Sequence, residues 1–579
     1  MASNRREFIG KAAATASVLA IGSTLTACGG SNSSAIPAQF RYGVASGDPL
    51  TDRVILWTHA KILDALTAVA LTWQIATDSN FSTVVNSGRI GAFEATGFTV
   101  KVDALGLSAG TTYYYRFLDD AGTVSPVGTT RTLPAASVAS VKFAVFSCAL
   151  YSEGFFNTYD AAAKSDAQYA IHLGDYIYEY GSDPKKFGNT DAVALGRVTS
   201  PANDIFSLSD YRTRYATYRL DANLQALHAK MPWITIWDDH EFANNAYVTG
   251  AENHNSTTQG PWLTRKAIAA QVYHEWMPIR SPDAANLLKI YRSFDFGSLF
   301  SLHMLDTRIE GRDQQYDNFG DADGGIGRYV TGLSSGSDAS RRMISTTQQS
   351  WLTSGLTASK ATWQLLGNQD IMARMWFPAS VLQLAATGAD PTKAIGDYLT
   401  AKATKAAAGP AALTPTQTAL LNPAVNPRLP YNLDAWDGYP SNREAVLQTV
   451  KAQGKKLVVL SGDSHNAWFS NLTTLAGEKI GVEFAGSSVS APGFESAGLG
   501  GLASSMDGSA VAKASGSGLG LVDDLNYSDS TRRGYLLMTV SADAVKGEFV
   551  FVSTVKSATY TAAVGKTITV TVAGVTTYA

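Results

Sequence analysis

Cysteine is almost missing from this chain: 579 residues hold only Cys28 and Cys148. Cys28 falls in an N-terminal segment read below as processed, so the body keeps one thiol and no disulfide can form between body cysteines. Long Lys or Arg runs are missing too, and the formal net charge is −3 with a pI near 6.3. No nucleic-acid-binding surface is evident, and nothing favours wrapping an anionic membrane. No Gly-x-Ser-x-Gly elbow stands at a strand-to-helix junction, which argues against a serine esterase. No internal repeat is visible. The partner expected from these absences is a small or locally anionic substrate.

At 579 residues the chain exceeds the usual size of one hydrophobic core, so two domains, or one domain with an accessory module, are expected. Residues 1–28 are set apart from the fold. Twin arginines in Ser3-Asn4-Arg5-Arg6-Glu7-Phe8-Ile9 precede an apolar run too short to span a membrane, ending in Leu25-Thr26-Ala27-Cys28-Gly29. The order resembles a bacterial twin-arginine export signal followed by a lipoprotein processing site. It predicts delivery by the twin-arginine translocation machinery to the periplasm or cell envelope, with a lipid anchor at Cys28. The Ser-rich residues 29–38 read as a tether.

Residues 39–134 contain short alternating runs such as Val54-Ile55-Leu56-Trp57-Thr58 and Thr112-Tyr113-Tyr114-Tyr115-Arg116-Phe117, parted by Gly and Asp turns. These predict a small β-sandwich. After a linker at Pro134 to Ser140, residues 141–579 alternate strand-like runs with helix-like patterns, which predicts a layered α/β domain. The strand-like runs begin at Val141, Tyr169, Trp233, Phe300, Trp363 and Leu457. Ala401 to Asn426 is Ala- and Pro-rich and Ser496 to Gly520 is Gly/Ser/Ala-rich without periodicity, so both read as insertions or mobile surface loops. Lys566 to Tyr578 is strand-like again.

Polar clusters stand where those runs stop. They are Gly174-Asp175-Tyr176-Ile177-Tyr178, Trp237-Asp238-Asp239-His240-Glu241, Asp306-Thr307-Arg308, Gly367-Asn368-Gln369-Asp370 and Gly462-Asp463-Ser464-His465. Each alone has an ordinary explanation: Asp after Gly caps helices, His fills cores, and Asp-Thr-Arg makes surface turns. Five together at strand ends point to metal ligands and a two-metal phosphoester hydrolase. Cys148 is either a buried apolar filler or a ligand, and its place at the carboxyl edge of the run from Val141 favours the ligand. Thiolate, phenolate and imidazole donors from Cys148, Tyr178 and His465 suit a transition metal, whereas Asp239 and Asp463 offer hard oxygens for calcium or magnesium. Asp175, central in the most compact motif, is the natural bridge.

These residues, with Phe40-Arg41-Tyr42-Gly43-Val44-Ala45-Ser46-Gly47-Asp48-Pro49 and Leu56-Trp57-Thr58, resemble the PhoD-like alkaline phosphatase/phosphodiesterase family of the calcineurin-like metallophosphoesterases. The resemblance runs from about residue 40 to 470. It implies an αββα sandwich behind a fibronectin-like module, and a ferric ion (Fe3+) paired with calcium (Ca2+) acting on a phosphate mono- or diester. Carried over by position, it puts Cys148, Tyr178 and His465 on iron, Asp175 between the metals, Asp239 and Asp463 on calcium, and His240 near the leaving group. Arg308 and Asn244 are candidate phosphate contacts, and Asn368 a candidate further calcium ligand. The rival is an exported, non-enzymatic binding protein stabilised by calcium; it would account for Asp239 and Asp463 but not for Cys148, Tyr178 and His465 together.

Overall fold

Period-two burial marks two strands of the N-terminal module. Val69–Ala76 and Thr112–Asp119 alternate buried with half-buried positions and pair antiparallel, Trp73 opposite Phe117. Aromatic and β-branched side chains fit such a pleated, half-buried surface. With Val84–Ala92 and Gly128–Arg131 on the flanks they form a four-stranded sheet. Val44–Gly47, Arg53–His59 and Thr99–Leu105 face it across a core containing Leu56, Leu71, Ile75, Val100 and Phe117. The structure is a computed structural model that describes residues 37–63, 67–316, 326–335, 337–386, 389–497, 500–509 and 519–579. The export signal, Cys28 and nearly all of the tether lie outside the described residues.

The second layer of this sandwich is not a separate sheet. Val44–Gly47 runs parallel to Trp233–Thr235, so the N-terminal strands continue a ten-stranded sheet of the main body. The junction explains a short motif. A Cβ on Gly47 would sit 2.3 Å from the Pro278 carbonyl oxygen and 2.6 Å from that of Trp233, so only glycine allows the approach. Next to it, the Asp48 carboxylate accepts from Arg292 Nε at 2.9 Å and Nη2 at 2.7 Å, and from the Arg280 backbone N–H at 2.7 Å. This buried fork ties the module to the strand Arg292–Phe296 of the opposite sheet.

That opposite sheet has seven strands, with Phe300–Met304, Trp363–Gly367 and Lys456–Ser461 parallel neighbours at its centre. The two sheets pack face to face. Lys456–Ser461 shows why its sequence is almost continuously apolar: Val458 and Leu460 enter the core between the sheets, while Leu457 and Val459 enter the core beneath the outer helices. Phe143 of the large sheet meets Phe300 of the small one at 5.8 Å between ring centroids. Helices Asn157–Ala163 and Ala222–Lys230 cover the large sheet through Tyr159, Leu224 and Leu227. Thr346–Ala358 and Pro440–Ala452 cover the small one through Leu352, Leu356, Val446 and Leu447. Truncating one such leucine to alanine costs about 2–5 kcal/mol. The αββα layering agrees with the expectation.

One local expectation fails. Ala401 to Asn426 is not a loop: it holds the end of helix Thr392–Ala408 and the helix Pro415–Leu421. Alanine is the strongest helix former, Thr414 and Gln417 close a capping box, and Pro415 occupies the first turn, where its missing N–H costs nothing. Lys566 to Tyr578 does form strands, Ala562–Thr571 and Thr576–Tyr578, on the edge of the large sheet. Among the described residues no helix is long and apolar enough to cross a membrane.

Candidate metal centre

Six parallel strands deliver the site. Ser140–Phe146, Tyr169–His172 and Trp233–Thr235 are parallel neighbours in the large sheet, as Phe300–Met304, Trp363–Gly367 and Lys456–Ser461 are in the small one. The loops after their carboxyl ends meet across the sandwich. Glycines permit the meeting: a Cβ on Gly174 would lie 2.4 Å from the backbone nitrogen of Asp238, and one on Gly462 would lie 2.6 Å from the Ser147 side chain. Cys148, Asp175, Asp463 and His465 all adopt the left-handed region, with φ of 61°, 54°, 56° and 59°. Such backbone conformations in non-glycine residues cost on the order of 1–3 kcal/mol each and gather where function demands them.

Three groups of donors result. Sγ of Cys148, a carboxylate oxygen of Asp175 and a ring nitrogen of His465 lie within 4.8 Å of one another; so do donors of Asp175, Asp239 and His240, and those of Asp370, Asp434 and Asp463. Tyr178 joins the first group, its hydroxyl donating to Asp175 Oδ2 at 3.1 Å and lying 3.1 Å from His465 Nε2. His465 Nδ1 is 2.7 Å from the Pro492 carbonyl oxygen, which can only accept, so the proton sits there and Nε2 keeps its lone pair. Burial drives the His465 pKa down to about 3, which keeps the ring neutral and able to ligate. Burial, reinforced by nearby carboxylates, pushes the Cys148 thiol and the Tyr178 phenol well up. Asp175 is also pushed well up, by burial and by Asp239, Glu241 and Asp463, with His240 opposing.

The set fits cations. Anionic donors this crowded and dry are unfavourable alone, and Asp239 Oδ1 is buried without any hydrogen-bond partner. Against its burial, His240 and Arg308 pull Asp239 down to about 2, so a charged carboxylate keeps one oxygen without a hydrogen bond. Thiolate, phenolate, imidazole and carboxylate together suit a transition metal, and the all-carboxylate remainder suits a hard cation.

His240 faces two ways. Its Nδ1 is 2.6 Å from Oε2 of fully buried Glu179, and its ring lies 4.1 Å from that of Tyr178. Burial works against its charge, but Asp239, Glu179 and Asp175 together outweigh it and raise the pKa well above the usual value. Glu179 also accepts from the Asn244 backbone N–H at 2.8 Å and from Asn253 Nδ2 at 2.7 Å, which fixes the His240 loop. Glu241 does the same for the strand ends, accepting the N–H groups of Asp175, Tyr176 and Asp238 at 3.0, 2.6 and 2.8 Å.

Three of the expected contact residues are engaged with the protein itself. Arg308 is fully buried, with Nε on Asp238 at 2.5 Å, Nη1 on Asp434 at 2.7 Å, and Nη2 on Asp463 at 2.7 Å and Asp370 at 3.0 Å. Four of its five N–H groups are thus turned to carboxylates, which it neutralises and positions. The Asn244 amide donates to Glu252 at 2.8 Å, turning its donor to a loop carboxylate. Asn368 receives the Trp436 indole N–H on Oδ1 at 2.9 Å and donates from Nδ2 to the Asp370 carbonyl oxygen, so both ends of its amide already serve the protein. The remaining expected ligands, Cys148, Asp175, Tyr178, Asp239, Asp463 and His465, are brought together.

Sequence reasoning passed over Glu179, Asp370 and Asp434. Glu179 directly follows the quoted Tyr178, and Asp370 closes a quoted strand-end cluster, so both had a signal. Asp434 follows no parallel strand; it enters the site from the loop before the short helical turn Trp436–Gly438.

Comparison with known proteins identifies the family. Residues 143–549 match the PhoD-like phosphatase family, and residues 25–134 match the PhoD-like phosphatase N-terminal domain. Alkaline phosphatase D of Bacillus subtilis (strain 168) is 34% identical over 472 residues, covering 78% of this chain and 70% of that protein. A solved structure of PhoD superposes with a TM-score of 0.73 at 30% identity, covering 95% of this chain and 93% of the other. The chain therefore belongs to the PhoD-like phosphatase family and is a phosphoester hydrolase.

Proposed function

We propose that this phosphoesterase is an exported, alkaline phosphatase/phosphodiesterase-type enzyme working with a ferric ion and calcium. The observation that carries the reading is the convergence of Cys148, Asp175 and His465, with Tyr178 hydrogen-bonded among them, at the joined strand ends. Cys148, Tyr178, His465 and Asp175 would hold the iron; Asp175, Asp239 and Asp463 would hold calcium. When bound, such cations supply Lewis acidity, making a water a better nucleophile and offsetting charge on the phosphate oxygens.

The protein's own groups do the rest. Glu179 anchors His240 Nδ1, leaving Nε2 to carry a proton toward the leaving oxygen. The water oxygen bonds to phosphorus in line as the P–O bond to the leaving alcohol breaks; His240 gives that oxygen its proton, and the water's proton passes to solvent. Arg308 and Arg312 sit among Asp238, Asp370, Asp434 and Asp463; burial raises the carboxyl pKa of Asp238, Asp370 and Asp463, and the guanidinium charge opposes that rise.

The paired Arg5-Arg6 and the Cys28 context support export through the twin-arginine machinery, with a lipid anchor in the cell envelope. That route carries folded proteins, which suits an iron site loaded before crossing and calcium acquired outside. Iron and calcium analysis of purified protein, beside cell fractionation of the wild type and an Arg5→Lys/Arg6→Lys variant, tests the reading. It expects one iron and at least one calcium per chain and loss of envelope localisation in the variant; zinc in place of iron, or unchanged localisation, contradicts it.

A further inference from the structure

Phe187 is a large apolar ring left 39% exposed beside the metal cluster. It lies nearly parallel to the His465 ring, 5.9 Å between centroids and 20° between planes. Tyr180 bridges from it to His240: its ring is edge-on to Phe187 at 6.5 Å and to His240 at 5.2 Å. A continuous aromatic strip thus runs from the proton-carrying imidazole to the iron-side imidazole.

The loop that presents Phe187 is firmly built. Asn189, buried, donates from Nδ2 to the Gly181 and Asp183 carbonyl oxygens at 2.7 and 2.8 Å. Lys186 Nζ pairs with Asp204 at 3.0 Å, and Asp204 also accepts the Gly181 N–H at 2.7 Å. Gly188 has φ 71°, and a Cβ there would lie 2.1 Å from Cδ2 of buried Leu150, a neighbour of Cys148 and Tyr178 in a small core cluster. The turn is closed against the site itself. Held by this turn against His465, the half-exposed ring is placed to touch a substituent carried by a phosphoester bound at the donor cluster.

Resting on the hydrolase reading above, we propose that Tyr180 and Phe187 form a specificity subsite for the organic substituents of a phosphodiester. Tyr180 meets the leaving group beside His240, and Phe187 meets the substituent that stays on phosphorus. A monoester has no second substituent, so Phe187 acts on diesters alone. Of the cations near the strip, the Lys186 ammonium is paired with Asp204 and Arg308 is buried, while Lys185 is exposed on the same turn. The aromatic rings favour an apolar or aromatic substituent over a small one.

The test compares wild type, Phe187→Ala and Phe187→Leu, each assayed for bound iron and calcium, on three substrates sharing p-nitrophenolate as leaving group. These are bis(p-nitrophenyl) phosphate, methyl p-nitrophenyl phosphate and p-nitrophenyl phosphate. In Phe187→Ala, the ratio of kcat/KM for the aryl diester to that for the methyl diester falls about tenfold, mainly through KM, and Phe187→Leu recovers part of it. An equal loss on all three substrates, a loss of iron, or an unchanged ratio overturns the subsite. Wild-type protein with full metal that turns over none of the three overturns the hydrolase reading as well, a failure visible without any variant.

Discussion

Glu179 and His240 form the closest acid–imidazole pair of the site, Oε2 to Nδ1 at 2.6 Å, with the carboxylate fully buried. A buried carboxylate on Nδ1 fixes the ring's orientation and leaves Nε2 as the working atom. If His240 supplies the leaving group's proton, His240→Gln lowers kcat about 10²–10⁴-fold on an alkyl ester and much less on a p-nitrophenyl ester, which departs unaided. Glu179→Gln follows the same pattern at about 10–100-fold. Rates on a leaving-group series check this; equal losses on good and poor leaving groups would assign His240 to binding.

Asp175 belongs to two donor groups, one with Cys148 and His465 and one with Asp239 and His240, whereas Asp463 belongs to a third with Asp370 and Asp434. Asp175→Asn is expected to lower iron and calcium content together and reduce kcat/KM more than about a hundredfold. Asp463→Asn is expected to lower calcium and spare iron. Elemental analysis of the purified variants decides, and wild-type metal content in Asp175→Asn contradicts the bridging role.

Tyr178 sits between Asp175 and His465 with its ring buried, so a phenolate there would be shielded from water. A ferric phenolate absorbs in the visible, giving a violet protein. Tyr178→Phe is expected to abolish that band. A colourless wild type with full iron and full activity removes the phenolate ligand.

The αββα layers, the N-terminal sandwich and the gathering of six candidate donors were legible because each rests on a local rule. Continuous apolar runs such as Leu457–Leu460 announce strands buried on both faces, and polar residues directly after them land at one edge. What was not legible depended on contacts far apart in sequence. Arg308 looked like a phosphate ligand because its partners Asp238, Asp370, Asp434 and Asp463 are scattered over more than two hundred residues. Asp434 enters from a loop that no strand points to. The continuity of Val44–Gly47 with Trp233–Thr235 is a parallel pairing across the whole first half of the body, invisible to periodicity. The Ala401 to Asn426 helices were legible, and only the compositional reading hid them.

His59 offers a stability test at the junction of module and body. Its ring packs against Tyr42 at 4.7 Å and Trp276 at 5.8 Å, its Nδ1 has no partner, and burial lowers its pKa to about 4. Because the folded pKa lies below the unfolded value of about 6.5, the native state binds fewer protons. Stability is therefore complete above about pH 6.5 and is lost as pH falls toward 4, by about 3 kcal/mol from this residue. His59→Phe is expected to flatten that part of the denaturant-unfolding curve against pH. An unchanged slope between pH 6.5 and 4 would place the acid sensitivity elsewhere.

The most direct test of the account is a set of paired initial rates on p-nitrophenyl phosphate and bis(p-nitrophenyl) phosphate at alkaline pH. The same protein preparation is used with calcium added, with calcium chelated, and with calcium restored. The account expects turnover that falls on chelation and returns on restoration, while iron stays bound. Turnover that persists unchanged in protein shown to have lost its calcium would contradict the two-cation centre.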